Sequence, residues 1–156
     1  MSGIHQYHTI IQWTGNRGTG TDHYSHYDRN HDLMVSGKPT IAASSDTAFR
    51  GDGTKYNPED FLVASISSCH MLWYLHLCAD AGVIVTAYTD EASGILDAKA
   101  QGGGRFTEVN LHPTVTVQDA AMCEKALALH QRAHEMCFIA NSVNFPVKHF
   151  PVVNTN

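Results

Sequence analysis

The sequence predicts an α+β fold, two long helices packed against antiparallel β-sheets, on three observations. A helix signature opens at Asn57-Pro58-Glu59-Asp60 and carries apolar residues three and four apart toward Gly82. A second apolar stripe of the same period follows Asp119. The remaining segments are rich in Val, Ile and Thr and are grouped before, between and after the helices rather than alternating with them. At 156 residues the chain fits one domain, residues 1–156, or one subunit of a compact oligomer, with no internal repeat or linker.

Taken in order, His5–Trp13 alternates loosely enough for a first strand, and Gly15, Gly18 and Gly20 make a turn. Strands are expected near Asp32–Val35 and Pro39–Ala43, and the stretch Asp46–Tyr56, with Gly51, Asp52 and Gly53, reads as loop. Asn57 is a good N-cap, Pro58 suits the first helical position, and the acids at 59 and 60 complement the helix dipole. Leu62, Ile66, Cys69, Trp73 and His76/Leu77 form the expected buried stripe, and Gly82 stops the helix. Val83–Tyr88, Ala92–Asp97 and Arg105–Val117, split by a turn at Gln101–Gly104, are expected to make an antiparallel meander. The second helix then presents Met122/Cys123, Ala126, His130, Ala133 and Cys137 along one side. A last strand is expected within Val143–Val153, edged by Pro146 and Pro151.

Composition bounds the function. With 43% apolar and 16% charged residues the chain is globular rather than disordered. The net charge of -5 and the lack of any Lys/Arg cluster argue against a nucleic-acid partner. The N-terminus has neither the basic start nor the long apolar core of a signal peptide, and no unbroken apolar run approaches the roughly 20 residues that span a bilayer. A cytoplasmic protein without a membrane partner is therefore expected. In that reducing compartment four cysteines are thiols, redox centres or metal ligands rather than structural disulfides.

Cys69 and Cys137 each sit on the apolar stripe of a long helix, so one small core can bring both thiols together. Free cysteine is equally at home as a small buried hydrophobe, and the spacing leaves both roles open. Cys78, nine residues after Cys69 and on another side of the helix, and Cys123 are expected to be structural. His130 and His134 are four apart with Cys137 three further on, a spacing that suits zinc. Yet Gln131 stands where a zinc protease needs its glutamate, there is no Cys-x-x-Cys pair, and the histidines at 5, 8, 23, 26 and 31 are scattered. No metal and no cofactor are expected. GNRGTGT lacks the Lys-Ser/Thr ending of a phosphate-binding loop, GGGR precedes a strand, and no Gly-x-Ser-x-Gly elbow supports a serine hydrolase.

Two segments carry a family resemblance. YNPEDFLVASISSCH, residues 56–70, resembles the Asn-Pro-Glu…Cys segment of the OsmC/Ohr proteins, the osmotically inducible and organic-hydroperoxide-resistance family; AHEMCFIANSV, residues 133–143, resembles their second-cysteine segment. The resemblance runs from about Trp13 to Val153. It implies an intertwined homodimer with its active sites at the subunit interface, Cys69 as peroxidatic cysteine and Cys137 as resolving cysteine. It also implies that Glu59 is an active-site glutamate paired with an arginine. Two arginines match the family's two patterns: Arg50 in DTAFRGD, which is preferred, and Arg17 in GNRG. Phe138 stands where many relatives have proline.

What the resemblance implies is a dithiol-dependent hydroperoxide reductase. Thiolate is the form that attacks a peroxide, and a thiol deep in a helix, past the reach of the helix dipole, needs a cation beside it. Arginine supplies one that cannot lose its proton, and a carboxylate fixes its orientation. Attack yields a sulfenic acid, a second thiol converts that to a disulfide, and a small or protein dithiol restores both thiols. Phe49, Phe61, Trp73 and Phe138 are candidates to line an entrance favouring organic hydroperoxides, and equally candidates for ordinary core. The alternatives are a non-catalytic protein of the same fold that binds a hydrophobic ligand, and a zinc protein using His130, His134 and Cys137.

Overall fold

The computed structural model describes residues 3–99 and 102–155, and the chain divides into two compact units, Met1–Phe61 and Leu62–Asn156. Its class is α+β.

In the first unit, strands β1 (Ile10–Trp13), β2 (His31–Met34) and β3 (Ile41–Ala43) form an antiparallel sheet in chain order. The first strand is shorter than expected from the alternation, and all four of its residues are exposed. The long loop from Thr14 to Asn30 is closed by its own bonds: Thr14 N–H donates to Asn30 O and Asp28 N–H to Gly15 O, both at 2.9 Å. The predicted loop at Asp46–Tyr56 holds one turn of 3-10 helix, Thr47–Phe49, capped by the Asp46 carboxylate on the Ala48 N–H. That turn ends on Arg50, whose φ of 65° makes it the one non-glycine in the left-handed region among the described residues. Gly51 follows because a Cβ there would sit 1.6 Å from the Ser45 carbonyl oxygen.

Helix α1 spans Pro58–Asp80, as its caps predict. Asn57 Oδ1 accepts the Asp60 N–H at 2.8 Å while Asp60 Oδ2 accepts the Asn57 N–H at 3.1 Å, a reciprocal capping box. At the far end Gly82 has φ +72°, and the Val83 N–H to Cys78 O and Gly82 N–H to Ala79 O bonds close a Schellman motif. The buried stripe differs from the expected one. It is Ile66, His70, Tyr74 and Cys78, a strict four-residue repeat; Cys69 and Trp73 lie beside it and are only partly covered. Histidine and tyrosine in the stripe hid it from an apolar count. Judged as a window rather than an unbroken run, α1 is also long and apolar enough to cross a membrane by length and composition, with a mean hydropathy of 1.4 and 22% of the window buried.

The second unit continues with β4 (Val85–Asp90), β5 (Ser93–Ala98), β6 (Gly104–Leu111), β7 (Pro113–Val117), α2 (Cys123–Met136), β8 (Val147–His149) and β9 (Val152–Thr155). The expected meander is replaced by two three-stranded sheets, β4-β7-β9 and β5-β6-β8. Pairs β4–β7 and β5–β6 are antiparallel, whereas β6–β8 and β7–β9 are parallel. Gln101, at the head of the turn expected before β6, lies outside the described residues.

The physical reason is that the chain changes sheet at three short breaks: Glu91–Ala92, His112 and Phe150–Pro151. The last break splits the single terminal strand expected at Val143–Val153, since Pro151 has no N–H to carry a ladder onward. Two breaks are joined directly, by the Phe150 N–H to Leu111 O bond at 2.9 Å and by stacking of the His112 and Phe150 rings. Asp90 fixes the region to α1: Oδ1 accepts the His112 N–H at 2.7 Å and Oδ2 accepts the Ser67 hydroxyl.

Two buried clusters result. Ile66 of α1 packs with Val109 and Leu111 of β6. Tyr74 and Cys78 pack with Val83, with Val115 and Val117 of β7, and with Ala126 and Ala133 of α2. One helix therefore serves as the common wall of both sheets. The expected stripe of α2 holds, with Ala126, His130 and Ala133 buried and Asp119 capping a 3-10 turn, Ala120–Met122, that leads into the helix.

Candidate functional site

Cys69 and Cys137 come together. Cys137 is the C-cap of α2 with extended backbone (φ -68°, ψ 107°), and its N–H donates to His134 O at 3.3 Å. It is 1% exposed, its sulfur accepts the Ala140 N–H at 3.4 Å, and the Ile66 carbonyl of α1 lies 4.0 Å away. Burial pushes this thiol up to about 11, and the neighbouring Cys69 thiol acts in the same direction. Both cysteines are free. Cys69 is partly exposed and opens on an apolar cavity of about 350 Å³ whose walls include Leu72, Trp73, Phe138 and Ile139, with Ser65 and Ser68 at one side. The Trp73 and Phe138 rings meet edge to face at 5.4 Å, a geometry worth about 1 kcal/mol. Leu72 and Phe138 are 63% and 67% exposed, so this mouth is a hydrophobic surface.

The other two cysteines are built differently. Cys78 lies in the closed core beside Tyr74, and burial raises both groups above their ordinary values. Cys123 is partly covered and packs against the same cluster.

In the first unit the charged candidates each have a distinct setting. Arg17 pairs with Asp28 at 2.9 Å, both side chains about half exposed. Arg50 carries its guanidinium 5.9 Å from the Tyr24 ring centroid. Tyr24 also stacks, with Tyr27, on Arg29, whose guanidinium lies 4.2 Å from each ring and donates to their carbonyls. Glu59 is in the first turn of α1. Among the ion pairs of the described residues neither Arg50 nor Glu59 takes part.

The histidines contain a feature that counting apolar positions missed. His70 Nε2 and His130 Nδ1 are hydrogen-bonded at 3.0 Å, both residues at most 1% exposed. His149 of β8 packs on both rings, and His134 packs on His149. Burial, then the neighbouring imidazoles, pull His70 down to about 4; burial, then His70, pulls His130 down to about 3. The signal lay in the four-residue repeat Ile66-His70-Tyr74-Cys78. His130, one of the residues considered for zinc, turns Nδ1 to His70, and among the described residues no group of three or more His, Cys, Asp or Glu is placed to hold a metal ion.

Comparison with known proteins follows the same lines. Residues 51–149, well over half of the chain, match the family model described as OsmC-like protein. An OsmC-like protein of unknown function from Vibrio cholerae shares 31% identity over 96% of this chain and 100% of its own, with a TM-score of 0.85. An organic hydroperoxide resistance protein from Elizabethkingia anophelis, solved with thiocyanate bound, is 18% identical over 100% of both chains with a TM-score of 0.70. One from Legionella pneumophila, described as a predicted redox protein and regulator of sulfide bond formation, is 21% identical over 97% of this chain and 99% of its own, with a TM-score of 0.67. At those identities the last two establish likeness of fold alone. No curated protein matches the chain. With its family model covering both cysteines and a relative of the same kind matched end to end, the chain belongs to the OsmC-like protein family.

Proposed function

We propose that this OsmC-like protein is a cytoplasmic, cysteine-based thiol peroxidase that reduces organic hydroperoxides through a Cys69 sulfenate and a Cys69–Cys137 disulfide. The observation that carries the reading is that Cys69 faces an apolar cavity on one side and the buried Cys137 thiol on the other. The exposed thiol is the one a hydroperoxide can reach. The buried one, held protonated, is out of its reach and available for the second step.

The Cys69 thiolate attacks the distal peroxide oxygen, the O–O bond breaks, and the alkoxide leaves and takes a proton as alcohol. Cys137 sulfur then attacks the sulfenic sulfur; its proton and the sulfenic hydroxyl leave as water, and the S–S bond forms. A dithiol donor reduces that bond and is itself oxidised to a disulfide. The apolar walls at Leu72, Trp73 and Phe138 favour an organic substituent over a water-like one. Arg50, oriented by Glu59, is assigned as the cation that favours thiolate, with Arg17 as the alternative. Both assignments come from family resemblance.

A homodimer belongs to the same proposal. The most apolar window of α1 is only 22% buried within the subunit, and Leu72 and Phe138 stand exposed at the mouth of the cavity. A second copy burying well over the ~2,000 Å² of a permanent interface would cover such a face. Sedimentation showing a folded monomer at micromolar concentration refutes that part.

Thiol titration after one equivalent of cumene hydroperoxide tests the central claim. A peroxidase loses two thiols per subunit and regains them with a dithiol. A protein that merely binds a hydrophobic ligand in the cavity loses none. In Cys137→Ser one thiol is consumed, turnover stalls, and sulfinic acid accumulates at Cys69 under excess peroxide.

A further inference from the structure

A buried side-chain hydrogen bond joins α1 directly to α2, the bond between His70 and His130. It lies one residue beyond Cys69 on α1 and seven residues before Cys137 on the α2 side. The ring planes are nearly parallel, 9° apart, and His130 is stacked on Tyr74 at 3.8 Å. An unstrained apolar pair would fill this space at lower cost. Whichever tautomer is adopted, the shared proton leaves one ring N–H and one lone pair buried, and both outer nitrogens, His70 Nδ1 and His130 Nε2, lack a hydrogen-bond partner. A half-satisfied polar pair stabilises a core poorly. What it does well is define one distance and one direction, because the bond weakens steeply with misalignment whereas apolar contacts tolerate sliding.

We propose that the His70–His130 bond is a positioning element for disulfide formation, holding α1 in one register against α2 so that the Cys69 and Cys137 sulfurs stay within bonding reach. The inference rests on the reading of these cysteines as a redox pair. Neither histidine touches the reacting atoms; both act through the helices that carry them. A disulfide accepts Cα separations only between about 4.4 and 6.8 Å, so a helix free to slide by an ångström or two leaves that window part of the time. Burial first, and the neighbouring imidazoles after it, keep His70 and His130 neutral, and His149 from β8 packs against both rings.

The test separates alignment from peroxide chemistry. His130→Phe keeps the stack on Tyr74 and deletes the bond; His130→Gln restores a donor and an acceptor. Reduced protein is treated with diamide, which closes neighbouring thiols without any hydroperoxide, and is separately equilibrated with dithiothreitol. In His130→Phe, disulfide closure is expected to slow about tenfold. The disulfide's equilibrium constant is expected to fall by a similar factor, about 30 mV. Dimedone trapping of the first sulfenic acid should stay within about twofold of wild type, and His130→Gln should recover most of both losses. Wild-type closure and equilibrium in His130→Phe overturn the proposal, as does a Gln variant no better than Phe. If His130→Phe does not fold, His70→Phe is read in the same way. A wild-type protein that closes its disulfide with diamide but ignores hydroperoxides refutes the peroxidase function and leaves this inference standing.

Discussion

Cys69 and Cys78 lie nine residues apart on one helix and have opposite surroundings. Cys78 occupies the buried stripe, 1% exposed, among Tyr74, Val83 and the valines of β7, and burial alone raises its thiol. Cys69 lies one position off that stripe, with a cavity on one side and a second thiol on the other. A turn of 100° per residue is enough to move a side chain from sealed core to reachable wall. Burial therefore does not sort the cysteines by role: Cys137 is as buried as Cys78 and its thiol is raised for the same first reason. What sorts them is the neighbour. Cys137 has a second sulfur beside it, and Cys78 has a phenol.

Exchanging serine for each cysteine breaks the comparison most sharply. Cys69→Ser should abolish hydroperoxide turnover, a loss of roughly 10³-fold or more, while Cys78→Ser in a coupled dithiol assay should retain activity within about twofold wherever the protein stays folded. Multiple turnovers by Cys69→Ser would end the mechanism. A smaller effect is expected at the cation. Arg50→Ala should slow single-turnover oxidation about 30- to 1,000-fold, the loss of an ion pair to a thiolate, and leave reduction of the disulfide nearly intact. Arg17→Ala, whose partner is Asp28, should do little; the reverse result moves the role to Arg17.

The stripe between the two cysteines makes a prediction about pH. Above about 6.5 His70 and His130 are neutral whether the protein is folded or not, and their contribution is complete. As pH falls below that value the unfolded chain takes up protons that the folded chain refuses until about 4 at His70 and about 3 at His130. Stability is thus lost from about pH 6.5 downward, on the order of 3 kcal/mol by pH 4 if the pair titrates as one unit. Urea melts of wild type and His130→Phe across this range should show a steep fall in the first and a shallower one in the second; parallel slopes would remove the cluster from the account. The smallest effect is structural. Cys78→Ala should cost about 1–2 kcal/mol in the same melts and Cys123→Ala less, because Cys78 is buried and Cys123 only partly covered.

Much of this was legible in the residues. Asn57, Pro58 and Gly82 marked both ends of α1 because capping chemistry is local, and the α2 stripe was readable because its buried members are alanines around a single histidine. The α1 stripe was misassigned because two of its four members, His70 and Tyr74, are polar by type, and both stack on His130, a partner sixty or so residues away. The sheet exchange at Glu91–Ala92, His112 and Phe150–Pro151 was likewise nonlocal: each strand has suitable residues, but nothing within it names its partner. The two segments bearing Cys69 and Cys137 carried the family in plain view, whereas the arginine assignment depends on a loop whose spacing departs from the family's patterns.

The backbone at Arg50 sets the consequence of a substitution there. Its φ of 65° follows directly on the 3-10 turn at Thr47–Phe49, and an L-residue with a long side chain holds that conformation at a penalty of about 1 kcal/mol that glycine would not incur. Arg50→Gly is therefore a substitution in which fitness of the backbone and fitness of the site pull apart. The variant loop should fold at least as well as wild type while the cation disappears. An Arg50→Gly variant that melts no lower than wild type yet slows single-turnover oxidation would separate the backbone contribution of this position from that of its guanidinium.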